Sequence, residues 1–124
     1  MTMDYEKITD EILAVDDAVN YVGIVDREGR IAHSKTKKGK SHLVDEKEEK
    51  VLASDLGVMK AMQGLYNDSM GKVTCMLTVR ERVHQLVFFA NSLIIYVSCE
   101  RDLNSQKIME IKANIALILK RSAQ

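Results

Sequence analysis

Residues 71–99 hold three strongly apolar segments joined by very short connections. KVTCMLTV, VHQLVFFA and LIIYVSC are separated only by Arg80-Glu81-Arg82 and by Asn91-Ser92. Links this short reverse the chain, whereas a parallel return needs a crossover of about a dozen residues or more. The stretch therefore predicts three antiparallel strands, over 73–79, 83–90 and 93–99. In 93–99 both parities are apolar, with Leu93, Ile95, Val97 and Cys99 opposite Ile94 and Tyr96. A strand apolar on both faces is covered on both faces, so this one belongs at the centre of the sheet. The segment with Thr74 and Thr78 belongs nearer an edge.

The rest of the chain reads as elements that extend or cover this sheet. Tyr5, Ile8, Ile12 and Val15 recur at helical spacing and predict a helix over 5–18. Residues 19–25 (VNYVGIV) are β-branched and too short for a helix. Asp26-Arg27-Glu28-Gly29 supplies turn chemistry, and 30–34 returns as a weaker strand, making a hairpin. A second helix is expected over 45–67, where Asp45 and Glu48 have the spacing of a capping box. Its apolar stripe comprises Val51, Leu52, Leu56, Met59, Met62, Leu65 and Tyr66. Gly57 and Gly64 lie seven apart and cost about 1 kcal/mol each against alanine in a helix, which close approach of another backbone would offset. Packing on the chain's own sheet and a helix–helix dimer contact both fit that stripe. A final helix is expected over 103–121, capped by Asp102, with Ile108, Ile111, Ile115, Ile118 and Leu119 facing inward.

Composition bounds the function classes. The chain has 124 residues, enough for one domain with a real core, and 46% hydrophobic with 29% charged residues is an ordinary globular balance. Eighteen basic side chains against eighteen acidic ones argue against a nucleic-acid binder or a polybasic membrane protein. No apolar run approaches the roughly 20 residues of a membrane span, and no signal peptide is visible. Cys75 and Cys99 lie inside apolar strands, as reduced core thiols of a cytoplasmic protein do.

No residue pattern points to catalysis, a cofactor or a metal. His33, His42 and His84 are scattered without ligand spacing, and a Cys75–His84 pair lacks an orienting third group. Gly39-Lys40-Ser41 is only a fragment of a phosphate loop. Lys35, Lys37, Lys38 and Lys40 form the one charge cluster, which reads either as a solvated loop or as a contact for an anion or partner. The methionines read first as core filling and second as an adaptable interface, with Met59 and Met62 on the apolar side of the middle helix and Met70 and Met76 near the edge.

The order helix, two strands, helix, three strands, helix resembles the roadblock/dynein light chain (profilin-like) fold over essentially the whole chain. A narrower resemblance, to a family of short archaeal proteins, rests on Ile12-Leu13 with Asp16, the run Tyr21 to Asp26 with Gly29, Gly71-Lys72, and Ile94 to Ser98. The resemblance implies an α+β, three-layer α/β/α domain spanning 1–124, with a five-stranded, largely antiparallel sheet. It places the middle helix on one face and the terminal helices on the other. It also implies a non-catalytic homodimer paired through the middle helix and the adjoining edge strand, serving as a scaffold or a platform for a small GTPase. On this expectation Val51, Leu56, Met59 and Met62, with Val73 and Cys75, make the dimer contact. The alternative is a PAS-like sensor in which sheet and helix enclose a small molecule, and a third reading uses the four lysines to hold a phosphorylated partner.

Overall fold

The computed structural model describes residues 4–41 and 43–122. In chain order the elements are α1 (Tyr5–Leu13), β1 (Val19–Val25), β2 (Ile31–Thr36), α2 (Glu46–Gln63), a 3-10 turn (Gly64–Tyr66), the short α3 (Asn67–Met70), β3 (Cys75–Val79), β4 (Val83–Ala90), β5 (Leu93–Glu100) and α4 (Ser105–Ser122). The sheet order is β2-β1-β5-β4-β3, antiparallel throughout. β5, apolar on both faces, is the central strand, and β3 is an edge.

Local chemistry sets the connections. The Asp26 carboxylate accepts from the Glu28 and Arg30 amides, and Gly29 takes φ +80°, closing the β1–β2 turn. Asn91 adopts φ 57° in the two-residue β4–β5 turn, a conformation that asparagine tolerates well. The Asp45–Glu48 capping box forms reciprocally at the start of α2.

Three expected helix limits change. α1 stops at Leu13, because Asp16 turns the chain by accepting from the Ala18 amide at 2.9 Å. α2 stops at Gln63 and passes into the 3-10 turn at Gly64. The cap of α4 is Asn104, not Asp102: the Asn104 side-chain oxygen accepts from the Lys107 amide at 2.8 Å. The strand expected over 73–79 starts at Cys75, and β2 extends through Lys35 to Thr36.

Two cores flank the sheet. On one face Ile8, Ile12 and Leu13 of α1 and Ile111, Ile115, Ile118 and Leu119 of α4 pack over Val22, Ile24, Leu86, Phe88, Ile95 and Val97. On the other, Ala53 and Leu56 of α2 pack on Tyr21, Val25, Val87, Ile94 and Tyr96. The faces are unequally covered. Five strands span about 19 Å between outer strands, and a helix is only about 10–12 Å across, so two helices can roof a face and one cannot.

Candidate functional site

The under-roofed face is where the chemistry of this surface gathers. Ala53 and Leu56 point α2 into the sheet, buried to 2% and 4% exposure. Val51, Val58, Met62 and Leu65 are nevertheless 56%, 60%, 61% and 79% exposed on the far side of the same helical segment. With Asp55 they follow spacings of four and three residues, the seam of a helix that packs against another helix. α2 is thus apolar on two faces, of which the chain's own sheet covers one.

Beside α2 runs an open groove of about 1210 Å³. Leu43, Val51, Leu52 and Asp55 form one wall, and Thr78, Arg80 and Arg82 of the β3–β4 hairpin form the other. Its floor carries a polar chain. Arg80 Nε donates to Gln85 Oε1 at 2.9 Å, the Gln85 amide donates to the Tyr96 hydroxyl, and Ser98 Oγ lies 3.4 Å from that hydroxyl. Burial pushes the Tyr96 phenol above its ordinary pKa. On the far side of α2, the Tyr21 hydroxyl donates to the Glu49 carboxylate. Burial, reinforced by that carboxylate, raises the Tyr21 pKa. Tyr21 and Tyr96 meet edge to face at 6.0 Å, and Gly23 makes the room: a Cβ there would lie 3.0 Å from the Tyr21 hydroxyl oxygen.

The groove ends at β3, whose outer edge is unpaired among the described residues. Phe89 N donates to Thr74 O, and Arg80 N to Val83 O. Even-numbered residues of β3 therefore face β4, and the amides and carbonyls of Cys75, Leu77 and Val79 point outward from the sheet. Such an edge is a template for another strand.

The residues expected at the interface divide. Val51 and Met62 are exposed on the outer seam of α2, and Met59 is half-buried. Leu56 is corrected: it belongs to the core of its own chain. Cys75 offers its main chain to the free edge, but its thiol packs against the α1/α4 core, and Val73 is half-buried ahead of β3. Among the described residues no atom lies within 4 Å of a Cβ built on Gly57, so none of their backbone makes the close approach expected there. Val58 was missed because a helix apolar on two sides does not reveal which side meets the sheet.

The lysine cluster is largely occupied. Lys35 Nζ pairs with Asp10 at 2.6 Å, Lys40 Nζ with Glu100 at 2.7 Å, and Lys37 Nζ donates to the Asp16 carbonyl at 2.6 Å. Their carboxylate partners raise the pKa values of Lys35 and Lys40. Only Lys38 of the four has no such partner among the described residues. His84 is buried with Nδ1 3.1 Å from the Glu100 carbonyl, while His42 lies outside the described residues. His84 stands opposite Val79 of β3, four positions along from Cys75, so the Cys75–His84 pair does not form. Burial raises both thiols, Cys99 to about 12. Among the described residues no cluster of three metal-ligating side chains occurs, and no helix is long and apolar enough to cross a membrane.

Comparison by sequence matches no family model and no curated protein. The chain superposes on the gliding protein MglB of Thermus thermophilus with a TM-score of 0.72 at 16% identity, covering 95% of this chain and 87% of that one. It superposes on a roadblock/LC7 domain from Streptomyces avermitilis with a TM-score of 0.67 at 10% identity, covering 98% and 94%. MglC of Myxococcus xanthus gives a TM-score of 0.64 at 10% identity, covering 98% of each chain. The fold is therefore the roadblock/LC7, profilin-like fold, an α+β domain with a five-stranded antiparallel sheet.

Proposed function

We propose that the protein is a non-catalytic, homodimeric interaction module, and that its dimer serves as a platform for a small GTPase or another protein partner. The observation that carries this reading is the pairing of two incomplete features on one side of the fold: a helix apolar on its outward face, beside an unpaired strand edge. A second copy completes both. Its β3 continues the sheet, and its α2 lies along the groove against the outer seam of the first. MglB has been solved in a tetrameric arrangement, so self-association has a precedent on this fold. The GTPase rests on the roadblock resemblance. Two free thiols, Cys75 and Cys99, accord with a cytoplasmic setting, and the short archaeal proteins remain the proposed kin.

The register of the pairing follows from the outward amides. Pairing about Leu77 opposes Leu77 to Leu77 and Cys75 to Val79 of the other copy, and engages all three outward residues of each chain. Moving the axis to Met76 or Thr78 leaves one of them unpaired. The midpoint of the helical seam, between Val51 and Leu65, is Val58, which places Val58 near the same axis.

Disulfide trapping tests this arrangement. In a Cys75→Ala background, Leu77→Cys should give a covalent dimer under mild oxidation, because directly opposed residues lie about 5.5 Å apart at Cα. Met76→Cys and Thr78→Cys should not, since each thiol then faces its twin only diagonally, at about 7–8 Å. Trapping by either of the latter in place of Leu77→Cys would overturn the register, and no trapping by any would overturn the strand pairing.

A further inference from the structure

We propose that a small polar pocket bordered by Arg82 and Arg101 binds a phosphoryl dianion, either free phosphate or the head of a small phosphomonoester. The pocket lies within one chain, so the inference goes beyond the dimer reading and does not rest on it. The β4–β5 ladder runs from Ala90 opposite Leu93 to Val83 opposite Glu100. The next opposed position in that register belongs to Arg82 and Arg101. Like charges at opposed positions destabilise a strand pair. Among the described residues neither guanidinium has a hydrogen bond or an ion pair. The end of the ladder thus holds two cations close together without an acidic partner for either.

Both arginines border a pocket of about 170 Å³, with Ser41, Ser98 and Glu100 on its wall. Glu100 is the one carboxylate among the described residues of that wall, and Lys40 Nζ holds it at 2.7 Å. The polar chain that starts at Arg80 also ends here. Arg80 Nε donates to Gln85 Oε1, which leaves the Gln85 amide nitrogen to donate to the Tyr96 hydroxyl. The Tyr96 and Ser98 hydroxyls lie 3.4 Å apart, and only one of their two protons can sit between them. With Tyr96 donating to Ser98, the Ser98 proton has no acceptor among the described residues. Ser98 is 8% exposed and lines the pocket, so that proton is held at the wall.

Free donors therefore outnumber free acceptors. Two guanidinium forks and the hydroxyls of Ser41 and Ser98 offer protons, while the Glu100 carboxylate is engaged by Lys40. Asn20 and Tyr21 also line the pocket, but the Asn20 side-chain oxygen is buried and the Tyr21 hydroxyl is bound to Glu49. An oxyanion with several acceptor oxygens and two negative charges complements this set, and the planar fork of arginine suits phosphate. The volume falls below the about 300–1,000 Å³ of drug-sized sites, which fits one phosphoryl group with a short ester rather than a nucleotide.

Thermal melts of the full chain test the site, in chloride buffer at fixed ionic strength with sodium phosphate titrated in. The expected result is a saturable rise in Tm on the order of 5 °C, half complete at about 1 mM phosphate. Arg82→Gln with Arg101→Gln should remove the saturable part and leave the non-saturating gain that phosphate gives any folded protein. Arg101 borders this pocket and not the groove beside α2, so Arg101→Gln alone is the sharper probe. Without phosphate it should melt at or above the unmodified chain, because the repulsion is gone; with phosphate it should melt below it. An unmodified chain that gains no more than the double variant overturns the site. An Arg101→Gln chain that melts lower in both buffers shows no repulsion to relieve and overturns the proposal as well. Glycerol 3-phosphate is the second probe. A rise with the same sensitivity to Arg101→Gln assigns the site to an ester head, and a rise with inorganic phosphate alone assigns it to the free ion.

Discussion

Val58→Glu separates the fold from its assembly. Val58 is 60% exposed on the outer seam of α2, so within one chain the substitution touches little and should change stability by less than about 0.5 kcal/mol. Across the proposed axis its cost is larger. Complete burial of a valine is worth about 1.5–3 kcal/mol, and the three fifths of Val58 still exposed corresponds to about 1–2 kcal/mol per chain. Symmetry doubles this to about 2–4 kcal/mol, and two carboxylates facing each other in an apolar seam add further cost. With about 1.4 kcal/mol per factor of ten, the dimer dissociation constant should rise about a thousandfold. Sedimentation velocity over a dilution series reads that shift directly, and a thermal melt below the dissociation constant checks that the monomer is intact. An unchanged dissociation constant with an unchanged melt would refute the placement of α2 at the interface. A collapsed melt would refute the claim that Val58 is peripheral to its own fold.

Further expectations concern the core and its polar anchors. Tyr21→Phe removes the donor to the half-buried Glu49 and should lower stability by about 1–2 kcal/mol in urea unfolding, a loss that an unchanged midpoint would contradict. Ile115→Ala empties a fully buried site between α4 and the sheet and should cost about 2–5 kcal/mol by the same measurement. Stability should also fall at alkaline pH. Cys99 and Tyr21 keep their protons longer when folded than when unfolded, so the unfolded chain binds fewer protons and the slope of stability against pH is negative. The Cys99 contribution is complete below pH 9 and is lost as pH rises through about 12. Urea midpoints at successive pH values should show this decline, shallower in Cys99→Val, and a flat profile would contradict it.

The sheet was legible because its signals are local and redundant. The apolar runs of β3, β4 and β5 are divided by turns whose residues suit only tight reversals, and β5 declares its central position by being apolar on both faces. The Asp45–Glu48 box and the isoleucine stripe of α4 were equally plain. Helix limits were less so. Val15 continues the apolar period of α1 and packs on the core, yet the Asp16 side chain competes for the backbone and ends the helix first. The two faces of α2 were only half legible, since Leu56 and Val58 lie on opposing sides of the helix and composition alone does not say which side meets the sheet. The lysine cluster was legible as a cluster but its partners were not: Asp10 and Glu100, which hold Lys35 and Lys40, lie 25 and 60 residues away in sequence. The Tyr21–Glu49 bond, spanning 28 residues, is equally invisible to local pattern.

On the proposed reading, the exposed seam of α2 and the free edge of β3 are covered by a second copy of the chain. Sedimentation of the unmodified protein from high to low micromolar concentration tests it most directly. A species of twice the chain mass that dissociates reversibly on dilution is the expected result. A single species of one chain mass throughout would contradict the claim and leave the outer face of α2 to a different partner.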